Sequence, residues 1–146
     1  MGDKAAAVNA WEALFRAQVS VLRKLNSEFP TGELSLNEYD VLFNLSRQPD
    51  WRARIRDLNR LLLITQPSVS RLVDRLVARG LVRKETDPGD GRGTLVRLTD
   101  DGYALFRRVA VAHAASIHRL VGAALTDKEL ATLAALSNKL RSSTER

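Results

Sequence analysis

The segment 61–80, LLLITQPSVSRLVDRLVARG, carries the pattern that decides the fold. Residues 66–79 predict a helix, because Thr65 is a favourable N-cap and Pro67 lies in the first turn, where a missing N–H costs nothing. Gly80 follows at the place where a helix commonly ends. The helix is therefore expected to start and stop at defined residues.

The two sides of this helix differ in chemistry. Its apolar residues share one side of a helical wheel and predict contact with a core: Val69, Leu72, Val73, Leu76 and Val77. The other side carries Pro67, Ser68, Arg71, Asp74, Arg75 and Ala78, with Ser70 at its margin. Small polar groups in a first helical turn can approach base edges, and free N–H groups there attract phosphates. This side is a candidate for reading DNA.

The positive charge of the chain is concentrated around this helix. The whole chain has a net charge of +6 at pH 7. Residues 52–97 hold eleven basic and five acidic residues, so this segment accounts for the whole imbalance and the flanks cancel. Such a block favours a polyanion as partner, and its richness in arginine favours phosphate and base-edge contacts. The alternative is a charged surface that only keeps the protein soluble.

Length and composition exclude several classes of protein. A chain of 146 residues is long enough for one domain with a buried core. No stretch approaches the roughly 18 apolar residues that cross a bilayer, and the first residues do not resemble a signal peptide, so we expect no membrane partner. The absence of cysteine excludes disulfides, thiolate metal sites and thiol redox sensing, and it fits a cytoplasmic protein.

Three helices are expected before the segment quoted above. Apolar residues recur at three- and four-residue steps over 5–27 and predict the first helix. Ser35 and Glu38 form a capping box, in which each side chain accepts from the other residue's backbone N–H, and they predict the start of the second. The second helix ends before Pro49, and a third, shorter one covers about 57–62.

After Gly80 the apolar pattern changes from helix to strand. Residues 81–86 and 94–98 are typical of strands, and the DPGDGRG sequence between them is dense in turn formers. The pattern predicts a β-hairpin with a long tip.

Two further helices are expected at the end of the chain. Thr99 is the N-cap of one, whose apolar positions continue to Leu120, and Thr126 with Glu129 forms a second capping box that opens the last. The order is helix, helix, short helix, helix, hairpin, helix, helix. We therefore expect a mainly α protein with a small β-hairpin wing, which is the winged helix-turn-helix arrangement.

The segment 57–102 resembles the core of the MarR family of transcriptional regulators. The likeness is carried by RLVDRL at 71–76 with RGLV at 79–82, by the D-x-R of residues 90–92, and by LTDDG at 98–102. The SLNEYDVL stretch and the terminal helices also fit the family, so the resemblance covers nearly the whole chain.

This resemblance implies a homodimer within which each chain is a single domain, 1–146. Residues 1–34 and 100–146 would form dimerisation helices, and 35–99 would form the winged helix-turn-helix lobe. It also implies that an arginine of the wing enters the minor groove. By position that arginine is Arg92, and Asp90 is the acid that orients it.

We therefore predict a sequence-specific, homodimeric repressor that binds a pseudo-palindromic operator in double-stranded DNA. The predicted DNA-binding residues are Gln66, Pro67, Ser68, Ser70, Arg71, Arg75, Lys84, Asp90 and Arg92. Apolar stripes on the first and last helices are more than a small lobe can cover, so pairing with a second copy is expected to bury them. The predicted dimerisation residues are Val8, Trp11, Phe15, Leu130, Leu133, Leu136 and Leu140.

The resemblance further implies release from DNA by a small aromatic or anionic effector. The candidate effector-binding residues are Trp11, Phe15, Tyr39 and His113. The alternative for each is an ordinary place in a core, where aromatic side chains and a satisfied histidine are common.

Other functions are weakly indicated. His113 and His118 are five residues apart, about 140° around a helix, so they cannot share a metal from one face. The sequence contains no phosphate-binding glycine loop, serine elbow or zinc signature, and we expect no catalytic residue, metal or cofactor. A winged helix used only as a protein–protein adaptor is the alternative, and the arginine block with its D-x-R wing argues against it.

Overall fold

The computed structural model describes residues 3–62 and 69–145, without the side chains of Asp90 and Arg92. In chain order the described elements are α1 (Lys4–Glu28), α2 (Leu36–Ser46), β1 (Arg52–Arg54), α3 (Ile55–Leu61), α4 (Val69–Ala78), β2 (Val82–Asp87), β3 (Asp90–Leu98), α5 (Asp100–Ile117) and α6 (Asp127–Thr144). A short 3₁₀ turn (Pro49–Trp51) precedes β1, and a π-helical turn (His118–Gly122) follows α5.

The chain divides into two compact units. Phe29–Ala112 form one, which we call the lobe, and Met1–Glu28 with His113–Arg146 form the other, which we call the terminal unit. The lobe contains α2, α3, α4, all three strands and the first part of α5. It is the winged helix-turn-helix part of the chain, and the mainly helical fold with a small β-wing agrees with the prediction.

The predicted capping box of the second helix is present. The Ser35 side chain accepts from the Glu38 N–H at 3.1 Å, and the Ser35 N–H donates to the Glu38 carboxylate at 2.8 Å. Two N–H groups that the first turn would leave without partners are thereby satisfied. The helix that follows buries Val41, Leu42 and Leu45.

Helix α4 ends as its sequence predicts. Gly80 adopts a φ of 72°, which is unfavourable for residues with a Cβ, and its N–H donates to the Val77 carbonyl at 2.9 Å. The next N–H, of Leu81, reaches back to the Leu76 carbonyl at 3.0 Å. These two bonds form a Schellman motif. The predicted start of this helix, at Thr65 and Gln66, lies outside the described residues.

The sheet has three antiparallel strands in the order β1-β3-β2. The sequence did not predict β1, because a three-residue RAR segment has too little alternation to recognise. The prediction of a long hairpin tip was also wrong. Strand β3 starts at Asp90, so only Pro88 and Gly89 separate it from β2. The Asp87 side chain accepts from the Gly89 N–H at 2.9 Å, an Asx-turn that closes the hairpin early.

The LTDDG sequence places the start of α5 against the end of α4. The Thr99 hydroxyl accepts from the Gly102 N–H at 3.0 Å and lies 2.7 Å from the Gly80 carbonyl oxygen. A Cβ at Gly102 would stand 2.0 Å from the Leu81 carbonyl oxygen. Only glycine lets the helix approach that backbone so closely, which explains its place in the motif.

A strained corner leads into β1. Asp50 and Trp51 have φ values of 56° and 57°, a region that bulky side chains rarely adopt. The Trp51 indole stacks on the Tyr103 ring of α5, with the ring centroids 4.6 Å apart. This contact offsets part of the cost of the corner, which is on the order of 1–3 kcal/mol per residue.

The lobe has one apolar core to which all of its helices and strands contribute. Its most deeply buried side chains are Leu34, Val41, Leu42, Leu45, Leu58, Val73, Leu76, Val82, Val96, Leu98 and Val109. These residues fix α4 against the rest of the lobe and leave its other side exposed.

The terminal unit has no comparable core among its described residues. Helices α1 and α6 contain no buried residue. The predicted capping box of α6 is present: the Glu129 N–H donates to the Thr126 hydroxyl at 3.2 Å, and the Thr126 N–H donates to the Glu129 carboxylate at 2.9 Å. An ion pair between Glu28 and Arg119 joins the end of α1 to the π-helical turn.

Candidate DNA interface

Helix α4 presents the exposed polar side that the sequence predicted. Val69, Leu72, Val73 and Leu76 are buried, whereas Ser70, Arg71, Asp74 and Arg75 are exposed. The prediction was wrong for Val77, which was placed on the inner side and is 36% exposed. It lies at the edge of the apolar stripe, whereas the adjacent Leu76 is fully buried.

Several predicted DNA-binding residues fall outside the described part of the protein. Gln66, Pro67 and Ser68 precede the first described turn of α4, and the side chains of Asp90 and Arg92 are likewise outside it. The backbone of the last two belongs to β3, next to the tip of the wing. Their assigned roles stay predictions.

Lys84 joins the wing to α4. Its ammonium nitrogen lies 2.6 Å from the Asp74 carboxylate, and both side chains are largely exposed. Lys84 thus lies beside the exposed side of α4, and its contact with DNA stays a prediction. Asp74 neutralises part of the Lys84 charge, and the basic residues of α4 itself are Arg71 and Arg75.

Arg79 fixes the C-terminal end of α4 within the lobe. Its guanidinium donates to the Glu33 carbonyl at 2.6 Å and lies 3.5 Å from the Glu38 carboxylate. Since Glu38 belongs to the capping box of α2, the end of α4 is tied to the start of α2. This contact restrains the direction of the exposed side.

The outer face of the sheet carries a row of arginines that the sequence analysis did not single out. Strand register places Arg52 and Arg83 on either side of Arg97. Glu85 lies 3.0 Å from the Arg97 side chain and 3.5 Å from that of Arg83. The hydrogen bond from Arg97 is the main cause that lowers the pKa of Glu85. One carboxylate among three cations leaves this face positive, although Asp50 lies 3.8 Å from Arg52.

A second ion pair joins the wing tip to the start of α3. The Arg54 Nε lies 2.6 Å from the Asp87 Oδ2, and the Asp87 side chain is only 6% exposed. That oxygen has no aligned hydrogen-bond donor among the described groups, so its attraction to Arg54 is mainly coulombic. The Gly89 N–H is the main cause that lowers the pKa of Asp87, and Arg54 lowers it further. Neither residue was predicted from the sequence, although the Asp-Pro-Gly turn signature indicates a turn at Asp87.

Two of the four candidate effector residues lie together on α1. The rings of Trp11 and Phe15 meet edge to face at 5.4 Å between centroids, and both are about half exposed. With Arg16, Val19 and Arg23 they line an open groove of about 470 Å³ along the helix. Glu12, which lies 3.4 Å from Arg16, lines the groove as well. Two guanidinium groups against one carboxylate leave the lining positive, which suits an aromatic anion.

The other two candidates have different surroundings. Tyr39 packs within the lobe among Phe29, Phe43 and Phe106, at 5.3–6.3 Å between ring centroids, and burial raises its pKa. His113 is the first residue of the second segment of the terminal unit, where burial lowers its pKa. For Tyr39 these contacts agree with the alternative of an ordinary place in a core.

The predicted dimerisation residues are mostly exposed in the single chain. Val8, Trp11, Phe15, Leu133, Leu136 and Leu140 are between 43% and 59% exposed, and Leu130 is partly buried. Isolated exposed leucines are ordinary, but two helices that each carry a stripe of them are not. The stripes are available for contact with another surface.

Two other properties of the described residues bear on function. Residues 3–62 and 69–145 contain no group of three or more His, Cys, Asp or Glu side chains that could hold a metal ion. Within the same ranges no single helix is long and apolar enough to cross a membrane. The helices Asp100–Gly122 and Asp127–Thr144 would be long and apolar enough only if they were taken together as one bent pair.

Comparison with known sequences identifies relatives of this chain. The profile of the MarR family matches residues 33–93. The HTH-type transcriptional regulator PecS of Dickeya dadantii is 34% identical over 102 residues, which are 68% of this chain and 61% of PecS. The chain thus spans about three-fifths of the length of this curated relative.

Solved structures of other proteins have a similar fold. The DNA complex of Sco3205, a MarR family transcriptional regulator from Streptomyces coelicolor, is similar with a TM-score of 0.79 and 26% identity, over 97% of this chain and 89% of that one. Bordetella bronchiseptica BpsR, whose DNA binding is regulated by 6-hydroxynicotinic acid, is similar with a TM-score of 0.76 and 27% identity, over 89% and 91%.

Proposed function

Because the chain belongs to the MarR family, we propose that it is a transcriptional regulator that binds double-stranded DNA as a homodimer and represses from a pseudo-palindromic operator. The observation that carries the proposal is the exposed side of α4, which holds Ser70, Arg71 and Arg75 outside a closed apolar core. Family membership also favours a regulator over an enzyme. A protein with this task works in the cytoplasm, where the operator is.

In this proposal α4 enters the major groove. Arg71 and the preceding Gln66 and Ser68 contact base edges, and Pro67 and Ser70 lie against the DNA beside them. Arg71 is suited to a guanine because its guanidinium can donate two parallel hydrogen bonds. Arg75, in the last turn of α4, and Lys84, on β2, contact phosphates. Arg92 enters the minor groove with Asp90 orienting it, and a narrow minor groove attracts arginine by its negative potential.

Two copies present two such helices to DNA. A dimer formed through α1 and α6 covers their apolar stripes and places two reading helices on one face of the duplex. The half-sites then lie about 34 Å apart, one turn of DNA, or a multiple of it. The exposure of Trp11, Phe15 and Leu136 in the single chain supports this arrangement.

The proposal is tested by selecting operators from a random DNA library and measuring affinity by anisotropy at several salt concentrations. Each neutralised phosphate contributes about 0.9 to the slope of log affinity against log salt, so a two-lobed dimer should show a steep slope. A flat response would reject DNA binding and favour the protein–protein adaptor.

Specificity is tested by two arginine variants. Arg71→Ala should lose about 1–3 kcal/mol and relax the sequence preference, whereas Arg92→Ala should weaken binding and leave the major-groove consensus intact. Arg141→Ala is the matched control, since it removes the same charge from an exposed ion pair of α6. Unchanged discrimination in Arg71→Ala would show that the reading side is wrongly assigned.

We further propose that a small aromatic anion releases the operator by binding at the α1 groove. Trp11 and Phe15 supply aromatic surface there, and Arg16 and Arg23 supply positive charge. Millimolar salicylate-like acids should weaken operator binding at constant ionic strength, and Trp11→Ala or His113→Ala should blunt this effect. Because Trp11 is also a predicted dimerisation residue, its variant is compared with the wild type at protein concentrations at which both sediment as dimers. An operator complex insensitive to a broad panel of aromatic acids would remove the effector from the proposal.

A further inference from the structure

The Arg54–Asp87 ion pair joins two parts of the lobe that are far apart in sequence. Arg54 is the last residue of β1 and the N-cap of α3, and its side chain forms no helix-capping hydrogen bond. Asp87 is the last residue of β2, where the wing turns. The 2.6 Å contact therefore fastens the tip of the wing to the first helix of the helix-turn-helix pair.

The two carboxylate oxygens of Asp87 make different contacts. One oxygen accepts from the Gly89 N–H and closes the turn, and the other lies against Arg54. The side chain is 6% exposed, whereas that of Arg54 is 39% exposed. A carboxylate removed from water loses much of its stability without a partner charge, so the turn depends on Arg54 to hold it in this place.

The turn controls the position of the residues that follow it. Asp87 pairs with Asp90 in the strand register, and the register shifts at this point of β2. Residue 92 lies two positions farther along β3. A hairpin tip held only by its own strands can twist, whereas a tip tied to α3 keeps one orientation relative to α4.

We propose that Arg54 is a positioning residue, which through Asp87 holds the wing tip, and with it residue 92, in the orientation that DNA requires. This inference rests on the proposed function. It assigns Arg54 a contact within the protein, in contrast to the phosphate contact that a basic residue of a DNA-binding lobe would otherwise suggest.

The substitution Asp87→Asn distinguishes a positioning role of the Arg54–Asp87 pair from a purely electrostatic one, because the two roles predict opposite changes in DNA affinity. Asparagine keeps an oxygen that can accept from Gly89, but the negative charge is lost. If charge alone governs DNA affinity, removal of a carboxylate should tighten binding. If the pair positions the wing, operator binding should weaken by about tenfold, the scale of one lost contact.

Asp57→Asn is the matched control for the charge change. Asp57 pairs with Arg60 on α3, in the same lobe, but that ion pair is exposed and lies within a single helix. We expect unchanged or slightly tighter operator binding. Circular dichroism and thermal melting of each variant will show whether the lobe is folded.

A double-mutant cycle shows whether Arg54 acts through the wing. Arg54→Met keeps an apolar stem of similar length and can be used even if Asp87→Asn fails to fold. The loss caused by Arg92→Ala should be several-fold smaller in the Arg54→Met background than in the wild type, because the wing is already displaced. Independent, multiplying losses would overturn the inference, as would unchanged or tighter operator binding by folded Asp87→Asn.

The failure of this inference is distinct from the failure of the proposed function. If the wild-type protein shows no salt-dependent DNA binding, the proposed function is rejected. If the wild type binds and the cycle shows no coupling, DNA binding stands and Arg54 is an ordinary basic residue of the lobe.

Discussion

The lobe and the terminal unit bury their apolar side chains to very different extents. In the lobe, leucines and valines from every helix and strand meet in one core, and many of them are fully buried. In the terminal unit α1 and α6 bury none of their residues, and most of the large exposed apolar side chains of the protein lie here. Both regions are regular in secondary structure, so helix formation does not distinguish them.

This difference indicates where each region obtains its stability. A long helix is stabilised mostly by burial of its apolar side rather than by intrinsic propensity. The lobe finds that burial within its own chain, whereas the stripes of the terminal unit remain exposed until another surface covers them. The contrast supports the proposed dimer and leads to three predictions, ordered by expected effect.

The largest effect is expected from Leu76→Ala in the core of the lobe. Leu76 is fully buried, so the variant leaves a cavity and should lower the free energy of unfolding by about 2–5 kcal/mol. Urea denaturation can follow the lobe through Trp51 in a Trp11→Phe background, because the two tryptophans of the chain lie in different units. A loss that depends strongly on protein concentration would contradict the view that the lobe is stabilised within one chain.

An intermediate effect is expected from Leu136→Asp in the terminal unit. Leu136 is 59% exposed in the single chain, and its burial in a dimer would contribute about 1.5–3 kcal/mol per chain. The variant should shift sedimentation toward the monomer while Trp51 still reports a folded lobe. Asn138→Asp lies about 200° away on the same helix and is the control. Dimers of equal strength in both variants would reject α6 as the interface.

The smallest effects are expected from removing the N-cap side chain of each capping box. One capping box lies in the lobe and the other in the terminal unit, so the same change can be compared in both regions. Ser35→Ala and Thr126→Ala should each cost about 1 kcal/mol, because each removes an acceptor for a first-turn N–H. The Ser35→Ala loss should be independent of protein concentration, whereas the Thr126→Ala loss should appear as weaker dimerisation. Calorimetry over a range of concentrations distinguishes them, and identical behaviour of both variants would remove the distinction between the regions.

Much of the fold could be predicted because its signals are local. The two capping boxes and the glycine stop at Gly80 formed as expected, and four of the five apolar positions of α4 face the core. Each signal involves residues at most a few positions apart, so a linear pattern contains all the information needed. The exposed side of α4, and hence the described part of the candidate site, follows from the same periodicity.

The errors have equally specific causes. Strand β1 exists because β3 offers it a free edge and Trp51 stacks on Tyr103, neither of which a three-residue segment encodes by itself. The wing tip is short because Asp87 closes an Asx-turn, which outweighs the general turn preference of the glycines after it. Val77 is exposed because it lies at the edge of the apolar stripe of α4, whereas the adjacent Leu76 is fully buried.

By itself the sequence determined which segments are helical, where α2 and α6 start, where α4 ends, and which side of α4 is polar, since these depend on interactions between near neighbours along the chain. Only the tertiary structure decided that Arg52, Arg83 and Arg97 form a row and that Arg54 meets Asp87. Such contacts depend on strand register and on the packing of distant segments. A shift of one residue in register would move every side chain of a strand to the opposite face.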